Sequence, residues 1–232
     1  MPRGATTVNN FNRVWRRARA ADRGMTLIEV IVAISIIGII ATAAVSITIA
    51  SVAATTTQQR SQVAVALASN TMETVVAHTL VVNSASGESS IYDGRTETRV
   101  SAAWTSLAGF PGVDSTYLGW DSTASPASRP DIPIDTANPA NDPTPPPTLN
   151  GTEYRVRTLI GPCFQPNTGG DCGRLTGQST SPLTEPAGYS KLIRVIVVVS
   201  WTAGGSCEVN ACTYQTSTLL DVHQDLKWKV NG

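Results

Sequence analysis

The feature that most constrains this chain is a strongly apolar stretch near its N-terminus. Residues 25–54 read MTLIEVIVAISIIGIIATAAVSITIASVAA, and no charged residue occurs from Val30 to Ala54. About 20 apolar residues suffice to cross a bilayer as an α-helix, so this stretch is long enough to span a membrane. An ordinary signal anchor would look similar, and so would a secretory signal cleaved near residues 51–54.

One acidic side chain, Glu29, interrupts the apolar character at the start of this stretch. A carboxylate at the centre of a bilayer costs about 2.5–3.5 kcal/mol on insertion scales, so its presence there indicates a function. A signal selected for hydrophobicity alone has little use for such a residue. Glu29 therefore argues against both a plain anchor and a plain secretory signal.

Charge is distributed unevenly about Gly24. The first 24 residues contain six arginines and one aspartate, giving +5, whereas the remainder has 11 basic and 16 acidic residues, giving −5. A basic flank ahead of an apolar helix is retained on the cytoplasmic side of the membrane. The acidic remainder lacks the basic footprint of a nucleic-acid-binding protein, so no nucleic acid contact is predicted.

The sequence RGMTLIE at residues 23–29, with the apolar helix after it, resembles the processing site of type IV prepilins. The same site occurs in the pseudopilins of type II secretion and DNA uptake. The resemblance rests on a basic leader, a glycine at the boundary, an acid five residues later and an uncharged span. Members usually have phenylalanine at the first mature position, where this chain has Met25.

The resemblance implies a cytoplasmic leader, residues 1–24, that a prepilin peptidase removes by cutting between Gly24 and Met25. Met25 would then be N-methylated, and Glu29 would act in filament assembly. A free amine and a carboxylate are each costly in hydrocarbon, and pairing them on neighbouring subunits lowers that cost. The implied partners are the prepilin peptidase, other pilin or pseudopilin subunits, an inner-membrane assembly platform and membrane lipid.

The helical pattern continues beyond the transmembrane and assembly segment, residues 25–54, into an amphipathic segment, residues 55–86. No proline occurs in residues 25–82, so a single helix is predicted from residue 26 to about residue 82, with Gly87 as a stop. Helical spacing predicts one buried face in the second half of this helix. Its members are Val65, Met72, Val76 and Leu80, widened by Val63, Leu67 and Val75.

Strand patterns dominate the remainder, residues 87–232, which is predicted to be an exported β-rich globular domain. Alternating or β-branched runs predict strands at residues 153–160, 192–201 and 213–222, with an earlier candidate at 96–104. The predicted fold class is α+β, with the long N-terminal helix packed on a C-terminal antiparallel sheet. This arrangement is pilin-like, and the last two strands resemble the closing hairpin of minor pilins.

Residues 121–150 differ in composition from their surroundings, because they contain eight prolines among Ser, Thr, Asp and Asn. Such a segment cannot bury enough apolar surface to fold by itself. We interpret it as an extended surface loop inserted in the domain. An adhesive or glycosylated loop is the functional alternative.

Four cysteines lie in the last third of the chain, as two pairs that are close in sequence. Disulfides Cys163–Cys172 and Cys207–Cys212 are predicted for an exported domain, although four cysteines allow three connectivities. A structural zinc site is the rival interpretation. It would normally show a Cys-x2–4-Cys spacing in both pairs, and the first pair lacks this spacing.

The sequence offers no catalytic set, and neither a cofactor nor a metal is predicted. The two histidines are His78, in the predicted helix, and His223, which shares a strand face with Asp221. No third partner for an acid–base or metal site is evident, so a surface pair is the simpler interpretation. No nucleophile elbow or phosphate loop occurs, and the chain is predicted not to be an enzyme.

The function predicted from these features is that of a minor pilin-like structural subunit in a type IV pilus or related filament. The protein would enter the cytoplasmic membrane as a single-pass subunit with its C-terminal domain outside. It would then join a filament at the cell envelope or surface. A minor pseudopilin of type II secretion or DNA uptake is the close alternative. A membrane-anchored surface binding protein or adhesin, and an exported enzyme, are alternatives of other classes.

Overall fold

The computed structural model describes residues 25–79, 90–137, 145–182, 184–202 and 212–221. The chain divides into two compact units, Met1–Ala54 and Thr55–Gly232. Both buried apolar clusters and the four strands of the described residues lie in the second unit. The first unit contains the apolar stretch near the N-terminus.

Helix α1, Leu27–Thr79, is continuous over 53 residues. At about 1.5 Å per residue it is roughly 80 Å long. The sequence favours this length because residues 27–79 contain no proline and a single glycine, Gly38. The predicted start at residue 26 agrees closely with the structure, whereas residues 80–82 and the predicted stop at Gly87 lie outside the described residues.

Four antiparallel strands form one sheet in the order β1-β2-β3-β4. Their bounds are Thr148–Leu149, Thr152–Pro166, Tyr189–Trp201 and Cys212–Leu220. A long helix together with this sheet confirms the α+β, pilin-like fold class. Strand β2 continues past its predicted end at Ile160, because it stays paired with β3 as far as Pro166 and Tyr189.

The second half of α1 packs on one face of the sheet. Ala64, Ala68 and Val75 are fully buried there. They belong to one apolar cluster with residues of all three long strands, namely Tyr154, Val156, Ile160, Ile193, Val195, Val197, Val199, Trp201 and Cys212. Two of the three central helix positions are alanines, whose small side chains allow a helix to lie close to the sheet.

The predicted buried face of the helix is confirmed at Val75, which is fully buried, and at Val63 and Leu67, which pack against the cluster, but it is wrong at other positions. Val65 and Val76 are 38% and 42% exposed, while Met72 is only partly buried against the cluster. Leu80 lies outside the described residues. The prediction failed because it weighted large apolar side chains, and the helix instead turns its alanines toward the sheet.

Helix α2, Glu97–Ser106, covers the other face of the sheet. It packs with residues that follow it and with both central strands in a second cluster of Val100, Ala103, Trp104, Leu107, Val113, Ile134, Leu159, Ile196 and Val198. The prediction of a strand at residues 96–104 is therefore wrong. The threonine and valine content suggested a strand, but the buried residues recur at the helical spacing i, i+3, i+4 and i+7.

The interpretation of residues 121–150 as a surface loop is wrong for residues 130–136. Ile132 and Ile134 are 1% and 0% exposed. The Thr158 amide donates to the Ile134 carbonyl at 3.1 Å, so this stretch lies along the outer edge of β2. Alternating isoleucines supply apolar burial that the proline content obscured, while residues 138–144 of the segment lie outside the described residues.

Candidate processing and assembly site

The start of helix α1 is fixed by Thr26. The amides of Glu29 and Val30 donate to the Thr26 carbonyl oxygen at 3.0 and 3.3 Å. The Glu29 amide also approaches the Thr26 hydroxyl oxygen at 3.4 Å. These contacts make Thr26 the residue that caps the helix, because its carbonyl and hydroxyl oxygens both accept from amides of the first turn.

Met25 lies just before the helix, and Glu29 lies in its first turn. Met25 is 68% exposed, and the Glu29 side chain is also exposed. In the described part of the chain, the Glu29 carboxylate makes neither a hydrogen bond nor an ion pair within its own subunit. The predicted cleavage residue Gly24 lies outside the described residues.

The geometry makes Glu29 suitable for a contact with another molecule. The positive end of the helix dipole favours a carboxylate in the first turn, which offsets part of the cost of placing it near hydrocarbon. Thr26 and Glu29 also have the spacing of a capping box, Thr-x-x-Glu. The sequence analysis did not assign Thr26 a role, although this four-residue pattern would have revealed it.

The remainder of the apolar stretch presents its side chains to the surroundings. Large apolar residues from Leu27 to Val52 are 38–80% exposed within the chain. By length and composition α1 can cross a membrane, and its most apolar window has a mean hydropathy of 2.7. Such a surface requires lipid or apolar protein around it.

Hydroxyl side chains within this stretch donate hydrogen bonds to carbonyl oxygens of the helix itself. The hydroxyls of Ser35, Ser46 and Thr48 donate to carbonyl oxygens four residues earlier at 2.8, 3.0 and 2.9 Å. Thr42 donates to the Ile39 carbonyl at 2.8 Å. A polar group in hydrocarbon must find its partner within the protein, so these hydroxyls are compatible with a lipid environment.

Cys163 and Cys172 are joined by a disulfide, with their Cα atoms 5.4 Å apart. Both residues are buried. The prediction that the chain contains a disulfide bond is confirmed by this pair. Cys212 lies at the start of β4, but Cys207 lies outside the described residues, so the second pairing stays a prediction.

The remaining titratable candidates are the two histidines. His78 is 3.7 Å from Asp131, whereas His223, the predicted neighbour of Asp221, lies outside the described residues. Within the part of the chain that the structure describes, no group of three or more metal-ligating side chains occurs.

Comparison with protein families supports the N-terminal assignment. Residues 19–45 match the family model of the prokaryotic N-terminal methylation motif, which is the type IV pilin and pseudopilin signature. This match contains Met25 and the first turns of α1. Comparison with curated proteins and with solved structures gives no significant match.

The motif supports a type IV pilin-like or pseudopilin subunit, a class of structural and non-enzymatic proteins. It implies processing by a prepilin peptidase and assembly with other pilin subunits. Together with the apolar helix it also indicates membrane anchoring.

Proposed function

We propose that this chain is a minor pilin-like subunit of a type IV pilus or related filament. A prepilin peptidase cuts it after Gly24, and helix α1 assembles it into the filament. The observation that carries this proposal is the exposed Glu29 carboxylate in the first turn of an apolar helix, within a matched methylation motif. A minor role is favoured by the length of the mature chain, which would crowd a tightly packed shaft.

The proposed cleavage fits the local backbone. The first helical hydrogen bonds are accepted by the Thr26 carbonyl, so the backbone of Met25, on the mature side of the Gly24–Met25 bond, lies outside the helical hydrogen bonds. Cleavage leaves a new amine at Met25, which is then methylated. In the filament this amine pairs with the Glu29 carboxylate of a neighbouring subunit and sets the axial register between the two.

The proposed topology follows from the charge pattern and the apolar stretch. The basic residues 1–24 stay in the cytoplasm until cleavage. Residues 25–54 span the membrane and later lie in the filament core, residues 55–86 continue the helix, and residues 87–232 form the exported domain. The disulfide between Cys163 and Cys172 suits an oxidising location outside the cytoplasm.

The first test is the intact mass and N-terminal sequence of the protein purified from membranes of its native host. We expect a chain that begins at methylated Met25. Gly24→Leu should leave the precursor uncut, because the peptidase acts at this glycine. A mature chain that retains residues 1–24, or one that begins near residue 53, would contradict the proposal.

A second test separates assembly from cleavage. Glu29→Ala should be cut normally but be lost from sheared filaments, because the pairing with the neighbouring amine is removed. Glu73→Ala is the matched control, since Glu73 is an exposed acid on the same helix. Equal recovery of the two variants in filaments would refute the assembly role of Glu29.

A further inference from the structure

An open groove runs between helix α2 and the extended segment 118–126. It consists of two hollows of about 460 and 500 Å³ that share Glu97 and Thr98 as lining residues. Small-molecule sites typically have volumes of about 300–1,000 Å³. No residue of the proposed assembly segment lines this groove, so the groove is separate from the proposed assembly site.

The apolar part of the groove is held rigidly. Leu118 and Trp120 each line one hollow. Both are only partly buried, and both pack against the cluster beneath α2. Leu118 and Trp120 alternate with the buried residues Tyr117 and Gly119. Because the backbone is extended here, this alternation directs the two apolar side chains to the same side.

One polar wall of the groove is fixed by Asp121. Its carboxylate accepts hydrogen bonds from the Gly94 amide at 3.1 Å, the Thr123 amide at 2.8 Å and the Thr123 hydroxyl at 2.6 Å. Burial raises the pKa of Asp121, but these hydrogen bonds outweigh burial and leave the pKa below its ordinary value. The carboxylate is therefore an ionised acceptor in a defined position.

The opposite end of the same hollow is fixed by Arg99. Its guanidinium donates to the carbonyl oxygens of Pro126 and Ser128, both at 2.7 Å. This clamp holds the segment that follows Asp121 against helix α2. Because both walls are set by internal hydrogen bonds, a ligand would have little ordering cost to overcome on binding.

We propose that this groove binds a neutral oligosaccharide. A sugar ring presents a C–H face that can pack on the indole of Trp120, and hydroxyls that can donate to carboxylates such as Asp121. Short hydroxyl side chains supply most of the remaining lining, namely Thr96, Thr98, Ser101, Thr105 and Ser122. Two adjoining hollows suit two successive sugar residues.

The charges in the groove favour a neutral ligand over an ionic one. Glu97 and Asp121 would oppose an acidic sugar or a phosphate, while Arg99 lines the same hollow and would oppose a cation. Hydrogen bonds to charged side chains are stronger than those between neutral groups, so neutral hydroxyls gain from these residues without a charge conflict.

The test uses the mature full-length chain in detergent and a panel of soluble neutral oligosaccharides of glucose, galactose, mannose and N-acetylglucosamine. Binding is measured by calorimetry, with sialylated oligosaccharides and tetramethylammonium as the charged comparisons. Thr98→Arg places a bulky side chain in both hollows, and Thr98 is exposed, so folding should be retained. Thr213→Arg, at an exposed threonine of β4, is the matched control.

We expect at least one neutral oligosaccharide to bind, and Thr98→Arg to raise its Kd at least tenfold while Thr213→Arg leaves it unchanged. Thermal unfolding of both variants verifies that the fold is intact. Preferential binding of the sialylated sugar or of tetramethylammonium would overturn the proposal. Absence of binding across the neutral panel, or equal affinities of the two variants, would overturn it as well.

Discussion

A buried carboxylate, Asp135, anchors the proline-rich segment to the sheet. It accepts a two-pronged hydrogen bond from the Arg155 guanidinium, at 2.7 and 2.5 Å. The Asp135 side chain is 1% exposed and that of Arg155 is 37% exposed. Bonding to Asp135 raises the pKa of Arg155. The pKa of the nearby Arg157 is lowered, mainly by burial and secondly by repulsion from Arg155. The negative charge of Asp135 partly offsets this lowering.

We predict that Asp135→Ala destabilises the protein by about 3–5 kcal/mol, because removing one partner leaves the other charge uncompensated. For a domain of this size, about 2–4 °C of melting temperature is lost per kcal/mol, which gives a decrease of roughly 6–20 °C. Because Arg155 is partly exposed to solvent, we expect the loss of stability and of melting temperature to lie toward the lower ends of these ranges. Arg155 stays charged across ordinary pH because its pKa is raised, and its deprotonation would remove this contribution only in strong alkali.

The assay is thermal unfolding of the mature chain, followed by circular dichroism. Asp131→Ala is the matched control, since Asp131 lies four residues earlier in the same segment with a side chain that is 69% exposed. Its contact with His78 is at the surface, so the control should lose less than about 1 kcal/mol. Equal melting temperatures for the Asp135 and Asp131 variants would refute the anchoring argument.

Three further predictions concern residues of the second compact unit, Thr55–Gly232. Gly161→Ala should strongly lower the melting temperature, because the new Cβ would lie 1.8 Å from a backbone carbonyl oxygen. In the control Gly173→Ala the new Cβ meets nothing within 4 Å, so the melting temperature should be unchanged. Replacing both Cys163 and Cys172 by alanine should cost about 2–3 kcal/mol in denaturant unfolding, from the entropy of closing a short loop; no change would contradict this. Because the pKa of Asp121 is lowered in the folded protein, its ionised carboxylate stabilises the fold above about pH 4, and this contribution is lost as the pH falls further. Asp121→Asn should therefore lose less stability than the unchanged protein when the pH is lowered through this range. The same dependence of stability on pH in both proteins would contradict the prediction.

The methylation motif could be predicted from the sequence because its constraints are local, whereas the roles of Gly24, Met25 and Glu29 stay predictions. An acid within an apolar run and a basic leader are visible without any knowledge of the fold. Residues 19–45 match the methylation motif, and the structure adds the cap at Thr26. Strands β3 and β4 were also predicted, since β-branched runs are favourable only where a pleated surface is half-buried.

The elements that sequence reasoning missed depend on contacts between distant segments. Helix α2 contains Thr98 and Val100, which suggest a strand, yet its buried side is defined by strands 50 and more residues later. Ile134 is buried because its segment pairs with the outer edge of β2, where the Thr158 amide donates to the Ile134 carbonyl. The strands that bury these residues are distant in sequence, so local composition predicted the wrong structure both for helix α2 and for the segment that contains Ile134.

Helix α1 shows how one secondary structure serves two environments. Up to Ala54 its apolar side chains are large and exposed, and Glu29 is the only charged residue of the span. From Thr55 onward the composition becomes polar, with Arg60 as the next charge, and burial shifts to small residues such as Ala64. The boundary between the two compact units falls at this change of composition. A large apolar surface is stable only in contact with lipid or with other apolar helices. A face of alanines, in contrast, is suited to packing on a sheet of the same chain. The sequence of the helix therefore distinguishes the half that packs against other molecules from the half that packs within its own chain.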